Sequence, residues 1–336
     1  MFLLLLVLIA SCLTTALLRY AALKLKWVDI PNARSSHHSP IPGSGGAGFA
    51  LMFFFATLFL FRQGLLMPSA FTALSLGLAM AILGLLDDRH NLRVGLRMLF
   101  QVLLAGLGLQ LMGGLPLVPV FGFEFDFGWF GYVIGIGAFV WLVNLYNFMD
   151  GIDSLAALES CFAAGAAAVL ALYYGNLQDA LLLACLIAAV LGFTFWNLPP
   201  ARIFMGDTGS NYLGYVLGIL GMLTISHGFM HVWSWAILLG VFIVDSGLTL
   251  LQRVRTGQTW YQAHRSHAYQ KAALKLGSHG RVVLAIMAIN VFWLLPLAWI
   301  SVAFVEGAVL ITVLAYTPVI LLALFLRAGL PDEGRA

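Results

Sequence analysis

Apolar residues recur along this chain in long uninterrupted runs, not at the three-to-four-residue spacing of a water-facing helix. The runs cover 2–18, 47–61, 69–86, 94–112, 129–146, 155–174, 179–196, 210–226, 232–251, 282–302 and 307–326. Backbone amides cannot go unpaired in hydrocarbon, so each run long enough to cross ~30 Å must be a helix of about 20 residues. The pattern predicts an all-α polytopic membrane protein of about eleven transmembrane helices, forming one integral-membrane domain over 1–336. Arg19, Lys24 and Lys26 follow the first run, whereas a cleavable signal carries its positive charges before it; the run therefore stays as the first span. Polar residues collect between spans, at about 19–46, 87–93, 147–154, 197–209 and 252–281. The stretch 113–128 alternates apolar with small or acidic residues and predicts a short hairpin. Small residues at 163–168 predict close helix packing.

Composition excludes a water-soluble fold. The chain is 62% hydrophobic and only 9% charged, with a mean hydropathy of +0.97, against roughly 25% charged residues in soluble domains. The distribution of the 17 Lys and Arg residues matters more than the net charge of +3. With the N-terminus periplasmic and the C-terminus cytoplasmic, every basic residue except Arg62 falls on the inner side, as the positive-inside bias requires. All five polar segments then share the cytoplasmic face. Cys12, Cys161 and Cys185 lie inside apolar runs without ligand-like spacing and are expected to pack.

Four polar segments carry candidate chemistry. Asp87-Asp88 ends the third run; two adjacent carboxylates at a helix C-terminus oppose the helix dipole and each other, and could take a proton or hold a metal. In Asn147-Phe148-Met149-Asp150-Gly151-Ile152-Asp153-Ser154, a continuing helix would set Asn147, Asp150 and Asp153 on one face; the alternative is a turn with Asp153 or Ser154 capping the next helix. Asn197 to Ser210 contains the helix-breaking Pro199-Pro200 and then Gly206-Asp207-Thr208-Gly209-Ser210, where a helix N-terminus could hold phosphate or its metal, or Asp207 could simply be an N-cap. In His264-Arg265-Ser266-His267, the arginine can pair bidentately with phosphate and the histidines can donate hydrogen bonds. Glu159 and Asp245, within or at the edge of spans, are either packing groups or functional ones.

Taken in order, Asp87-Asp88, Asn147 through Asp153, Asn197 through Ser210, and His264 through His267 resemble the motifs of the polyprenyl-phosphate N-acetylhexosamine-1-phosphate transferases of glycosyltransferase family 4. The resemblance runs from about Arg34 to Gln270. The opening Arg34-Ser35-Ser36-His37 and the His264 to Gln270 loop are most similar to the subgroup that initiates O-antigen or related surface polysaccharides. Ile41-Pro42-Gly43-Ser44 departs from that family's usual arginine-containing first loop, with His38 as the nearest substitute.

The resemblance implies transfer of an N-acetylhexosamine-1-phosphate from a UDP-sugar to undecaprenyl phosphate in the bacterial inner membrane, releasing UMP. It implies Mg²⁺, with Mn²⁺ as a substitute, on Asp207 first and Asn147 second. Asp87 and Asp88 would orient or deprotonate the lipid phosphate, with a covalent aspartyl route left open. Asp150 and Asp153 would position substrate or metal-bound water, Asn197 would meet the nucleotide, and Arg265 with His264 and His267 would meet the diphosphate or sugar. Expected partners are the lipid bilayer and the two substrates, with no nucleic acid and a homodimer left open. The rival readings are a secondary transporter, which needs polar residues near the midplane, and an intramembrane aspartyl protease using Asp150 and Asp207.

Overall fold

A computed structural model describes residues 1–29, 40–259 and 264–331. His38 lies outside the described residues. Helices stand at each predicted run. They are α1 (Phe2–Lys24), α2 (Gly46–Arg62), α3 (Pro68–His90), α4 (Val94–Leu111), α5 (Phe130–Met149), α6 (Leu155–Tyr173) and α7 (Leu177–Asn197). After these come α8 (Gly206–Ser226), α9 (Val232–Leu238), α10 (Gly240–Arg255), α11 (Ala268–Leu276), α12 (His279–Ile289), α13 (Leu295–Ala303) and α14 (Ala308–Phe325). Among the described residues, eight helical segments are long and apolar enough to cross a bilayer, or nine if α9 and α10, bent by 80° at one residue, count as a single broken span. Side chains such as Leu13, Leu172 and Leu310 stand exposed around the bundle, as lipid contact requires.

Extended structure is confined to β1 (Val28–Asp29) paired with β2 (Ile41–Pro42), and to β3 (Val118–Val120) paired antiparallel with β4 (Phe123–Phe125). The second pair is the hairpin expected between 113 and 128.

Three local expectations are corrected. The fifth helix stops at Met149, with Asp150 as its C-cap, so Asn147, Asp150 and Asp153 do not share a helical face. The run 232–251 is broken at Leu239. The run 282–302 passes through a π-helical turn, Asn290–Leu294, where the Asn290 amide turns inward and donates to the buried Glu159 carboxyl. A buried acid needs such a partner.

Helix α8 is the centre of the bundle, buried from Thr208 through Leu217 and again from Ile219 through Thr224. It is reached through glycines on its neighbours and on itself. A Cβ on Gly84 of α3 would lie 2.2 Å from the Asp207 backbone oxygen, and one on Gly46 of α2 would lie 2.2 Å from the Gly209 Cα. A Cβ on Gly214 would press on the α5 backbone at Leu142 and Val143. With no hydrophobic drive between helices in lipid, such close approach is what holds them together. Helices α6 and α7 pack likewise through buried alanines, among them Ala163, Ala164 and Ala167. The closest approaches to α8 cluster at its first turn, which brings the ends of α2 and α3 to one place.

Gly84→Ala is expected to lower stability by about 1–3 kcal/mol, the usual cost of overpacking, read as a fall in melting temperature in detergent. Gly137→Ala in α5, where a Cβ meets open space, should leave it unchanged or slightly raised.

Candidate active site

Helix α8 begins inside protein, so its first N–H groups need acceptors, and no side chain of its own supplies one. Asp88, at the end of α3, does. Its Oδ1 accepts from the Asp207 N–H (2.9 Å), and its Oδ2 from the Thr208 N–H (3.3 Å) and hydroxyl (2.9 Å). Ser44, ahead of α2, donates to the same Oδ2 at 2.9 Å. Asp88 is thus an N-cap supplied by another helix, and the positive end of α8 stabilises its charge. Asp207 sits in the first turn of α8 and is not its cap.

Asp87, buried at 7% exposure, is neutralised differently. Asn91 adopts a left-handed conformation (φ 47°) that closes α3 and turns the chain into α4. Arg97, in the first turn of α4, then returns its guanidinium to Asp87 as an ion pair and lies 3.8 Å from Asp207 Oδ2. The Leu92 N–H also donates to Asp87 (2.9 Å). Two mutually repelling acids at one helix end are therefore accommodated by a guanidinium on one and a helix N-terminus on the other.

Asn147, in the last turn of α5, donates from Nδ2 to Asp207 Oδ1 (2.6 Å) and reaches Ser210 Oγ at 3.3 Å. Asp150 follows at the C-cap. Burial pushes its carboxyl well above the ordinary range, and the charges of Asp207, Asp88 and Asp153 push it further. The structure thus brings Asp87, Asp88, Asn147, Asp150 and Asp207 together. A polar cavity of about 650 Å³ opens beside them, lined among others by Lys26, Trp27, Asp88, Arg89, Arg97 and Asp207. The Arg89 guanidinium lies 3.3 Å above the Trp27 ring, a cation–π contact that fixes a charge at the cavity wall.

Other expected site residues are placed at one remove. Asp153 Oδ2 accepts from the Ala201 N–H (3.1 Å) and pairs with His279 at 3.3 Å. Asn197 is buried, accepting from the Ser154 N–H (2.8 Å) and donating to the Ile203 carbonyl (2.9 Å). Asn197 thereby ties the 150–154 turn to the 198–205 loop. Ser154 starts α6 with a left-handed backbone and no side-chain cap. In the histidine loop, His267 is buried and stacked on the half-buried His264, centroids 4.9 Å apart. Burial first, then His267 and Arg253, pull the His264 imidazole down to about 3. His264 is therefore neutral near pH 7, and Arg265 beside it carries the loop's permanent charge.

That loop reaches the acidic cluster through Tyr269, whose hydroxyl donates to the Phe148 carbonyl at 2.8 Å. A Cβ on Gly151 would fall 2.1 Å from that hydroxyl, so glycine is required there. The sequence marks Arg97 only as one of three cations near Asp87-Asp88, and Tyr269 only as a member of the histidine loop; neither is given a role by it.

All the clustered ligands are oxygen donors, the set a hard divalent cation prefers. Among the described residues, no three acidic or histidine side chains form a metal cage by themselves.

Residues 70–225 match the profile of glycosyl transferase family 4. The probable undecaprenyl-phosphate N-acetylglucosaminyl 1-phosphate transferase of Bacillus subtilis is 31% identical over 291 residues, covering 84% of this chain and 80% of the relative. The undecaprenyl-phosphate alpha-N-acetylglucosaminyl 1-phosphate transferase of Yersinia pestis is 30% identical, covering 75% of this chain and 70% of the relative. The phospho-N-acetylmuramoyl-pentapeptide-transferase of Moorella thermoacetica is 29% identical, with 74% and 81% covered.

Asp88→Ala strips acceptors from two backbone N–H groups and two hydroxyls. It is expected to cost about 1–3 kcal/mol, measured as a lower melting temperature in detergent.

Proposed function

The chain belongs to glycosyl transferase family 4, and we propose that it transfers an N-acetylhexosamine-1-phosphate from a UDP-sugar to a polyprenyl phosphate, undecaprenyl phosphate in a bacterial inner membrane. The product lipid would start O-antigen or a related surface polysaccharide. The observation that carries this reading is the meeting of Asp87, Asp88, Asn147, Asp150 and Asp207 beside a cavity edged by Lys26, Arg89 and Arg97. Both substrates are anionic, and such a wall of cations facing acids allows two phosphate groups and a metal to be held at once.

In the reaction an oxygen of the lipid phosphate attacks the β-phosphorus of the UDP-sugar, and the bond from that phosphorus to the bridging oxygen breaks, releasing UMP. Such transfers depend mainly on positioning and charge stabilisation. Asp207, with Asn147 second, would hold Mg²⁺, or Mn²⁺ in its place. Magnesium commonly takes one or two carboxylates and completes its shell with waters and substrate phosphates; bound here it would supply positive charge against the diphosphate and the leaving UMP. Asp87 and Asp88 orient the acceptor phosphate or take its proton. Asp150 and Asp153 hold the turn beneath the diphosphate, and Asn197 keeps the adjoining loop in register for the nucleotide. Arg265, with His264 and His267, meets the diphosphate or sugar, and His38 stands in for the first-loop arginine in binding substrate.

The same reading sets the N-terminus in the periplasm and the C-terminus in the cytoplasm. Counting α2, α8 and the bent pair as crossings keeps eleven spans. The acids sit at helix ends, which disfavours a transporter with a midplane site.

Asp207→Ala is expected to abolish lipid-linked sugar formation while the protein remains inserted. The assay is UMP release and product mass in membranes given polyprenyl phosphate, Mg²⁺ and a panel of UDP-sugars; near-normal turnover overturns the metal assignment. EDTA should stop the reaction, whereas an aspartyl protease would be indifferent to it.

A further expectation concerns pH. The folded state holds a proton on Asp150 that the unfolded chain releases near ~3.9, so this group's contribution to stability is lost as pH rises toward its folded value. A cation can replace that proton. Mg²⁺ should therefore raise the melting temperature more at pH 8 than at pH 5.

A further inference from the structure

Asp245, in the middle of α10, takes no part in the acidic cluster, yet it is 3% exposed and surrounded by donors. Its Oδ1 accepts from the Ala268 N–H (2.9 Å) and the Thr249 hydroxyl (3.1 Å) and lies 3.2 Å from His267 Nδ1. Its Oδ2 accepts from the Tyr269 N–H (2.9 Å). Thr249 belongs to the next turn of α10; the other three partners all belong to the start of α11. A buried carboxylate is tolerated only when paired in this way.

The consequences run outward from α11. The Asp245 Oδ1 contact to Nδ1 and the capping box with Gln270 together fix the orientation of the His267 ring at the head of α11. Tyr269, fixed by its own N–H, delivers its hydroxyl to the Phe148 carbonyl (2.8 Å), and the His267 ring lies 6.1 Å from that of Phe148. Phe148 adjoins Asn147 and stands two residues before Asp150. One carboxylate thus sets the separation between the histidine loop and the turn that presents the acidic cluster. The chain's end grips the other side, through Gly329 N–H to the Ser266 carbonyl (2.7 Å) and Lys271 Nζ to the Arg327 and Leu330 carbonyls (2.8 and 2.7 Å).

We propose that Asp245 is a positioning residue for the sugar-nucleotide donor, locking the His267 ring and Tyr269 so that the histidine loop closes over the diphosphate beside the Asn147–Asp150 turn. The proposal rests on the transferase reading and adds to it a residue that touches no substrate.

The test uses the full chain in detergent or nanodiscs, with UDP-N-acetylglucosamine and polyprenyl phosphate titrated separately. D245A is expected to raise the donor KM at least tenfold while the acceptor KM stays within twofold. D245N, which keeps one accepting oxygen, should fall between D245A and wild type, and it carries the comparison if D245A yields too little folded protein. Because Asp245 acts through Tyr269, Y269F should add less to the donor KM in the D245A background than in wild type. An unchanged donor KM overturns the proposal. So does a loss of turnover that matches the loss of folded protein with both KM values unchanged, which would leave Asp245 a structural residue only.

If wild-type protein releases no UMP from any donor, it is the transferase reading that falls. Hydrogen exchange then judges the geometry by itself. Faster exchange in D245A confined to 264–270 and 148–151 supports the positioning role, and exchange equal to wild type overturns it.

Discussion

A helix that starts inside a low-dielectric bundle must find acceptors for its first N–H groups, and α8 finds them on another helix. The Asp88 carboxylate ends α3 and begins α8 at once, spending its oxygens on Asp207, Thr208 and Ser44. That contact holds three segments of the chain at one point and leaves the Asp207 side chain free of any capping duty, turned toward Asn147 and Arg97. Without it the first turn of α8 would fray, and the carboxylates would lose the fixed spacing that makes them a site.

The same device recurs once. Asp245 caps α11 from α10 as Asp88 caps α8 from α3. In both cases a carboxylate meets backbone N–H groups and a side-chain partner and a helix escapes unpaired donors; for the buried Asp245 this also offsets the cost of burial. Glycine makes this reach possible. At Gly84, Gly46 and Gly151 there is no room for a Cβ, so the elements bearing these acids approach more closely than any other side chain permits. Packing and electrostatics here form a single constraint, since an ångström of separation between α3 and α8 would break the cap.

Gathering acids in this way has an electrostatic cost, and its distribution carries the functional meaning. Asp87 is answered by Arg97 and Asp88 by a helix end, whereas burial and then the charges of Asp207, Asp88 and Asp153 push the Asp150 carboxyl well above the ordinary range. Acids gathered on one side face Lys26, Arg89 and Arg97 along the cavity on the other. The histidine loop joins it from the opposite bank through Tyr269.

What the sequence determined by itself was local. Uninterrupted apolar runs required helices because lipid offers the backbone no other partner, and the positions of those helices, the hairpin after α4 and the order of the polar motifs all follow from it. Proximity in the acidic cluster was legible only as motif order. The break at Leu239 and the π-helical turn at Asn290 were not legible, because apolar content looks the same on either side of a bend, and the end of α5 at Met149 was legible only as one of two alternatives. Tertiary structure alone decided which oxygen of each acid is spent and on what. Asp88 and the N–H of Asp207 lie 119 residues apart, and no periodicity in a chain records a contact of that kind. The sequence therefore named the acids, and only the crossing of α3 with α8 showed that one of them builds the site while its neighbours serve it.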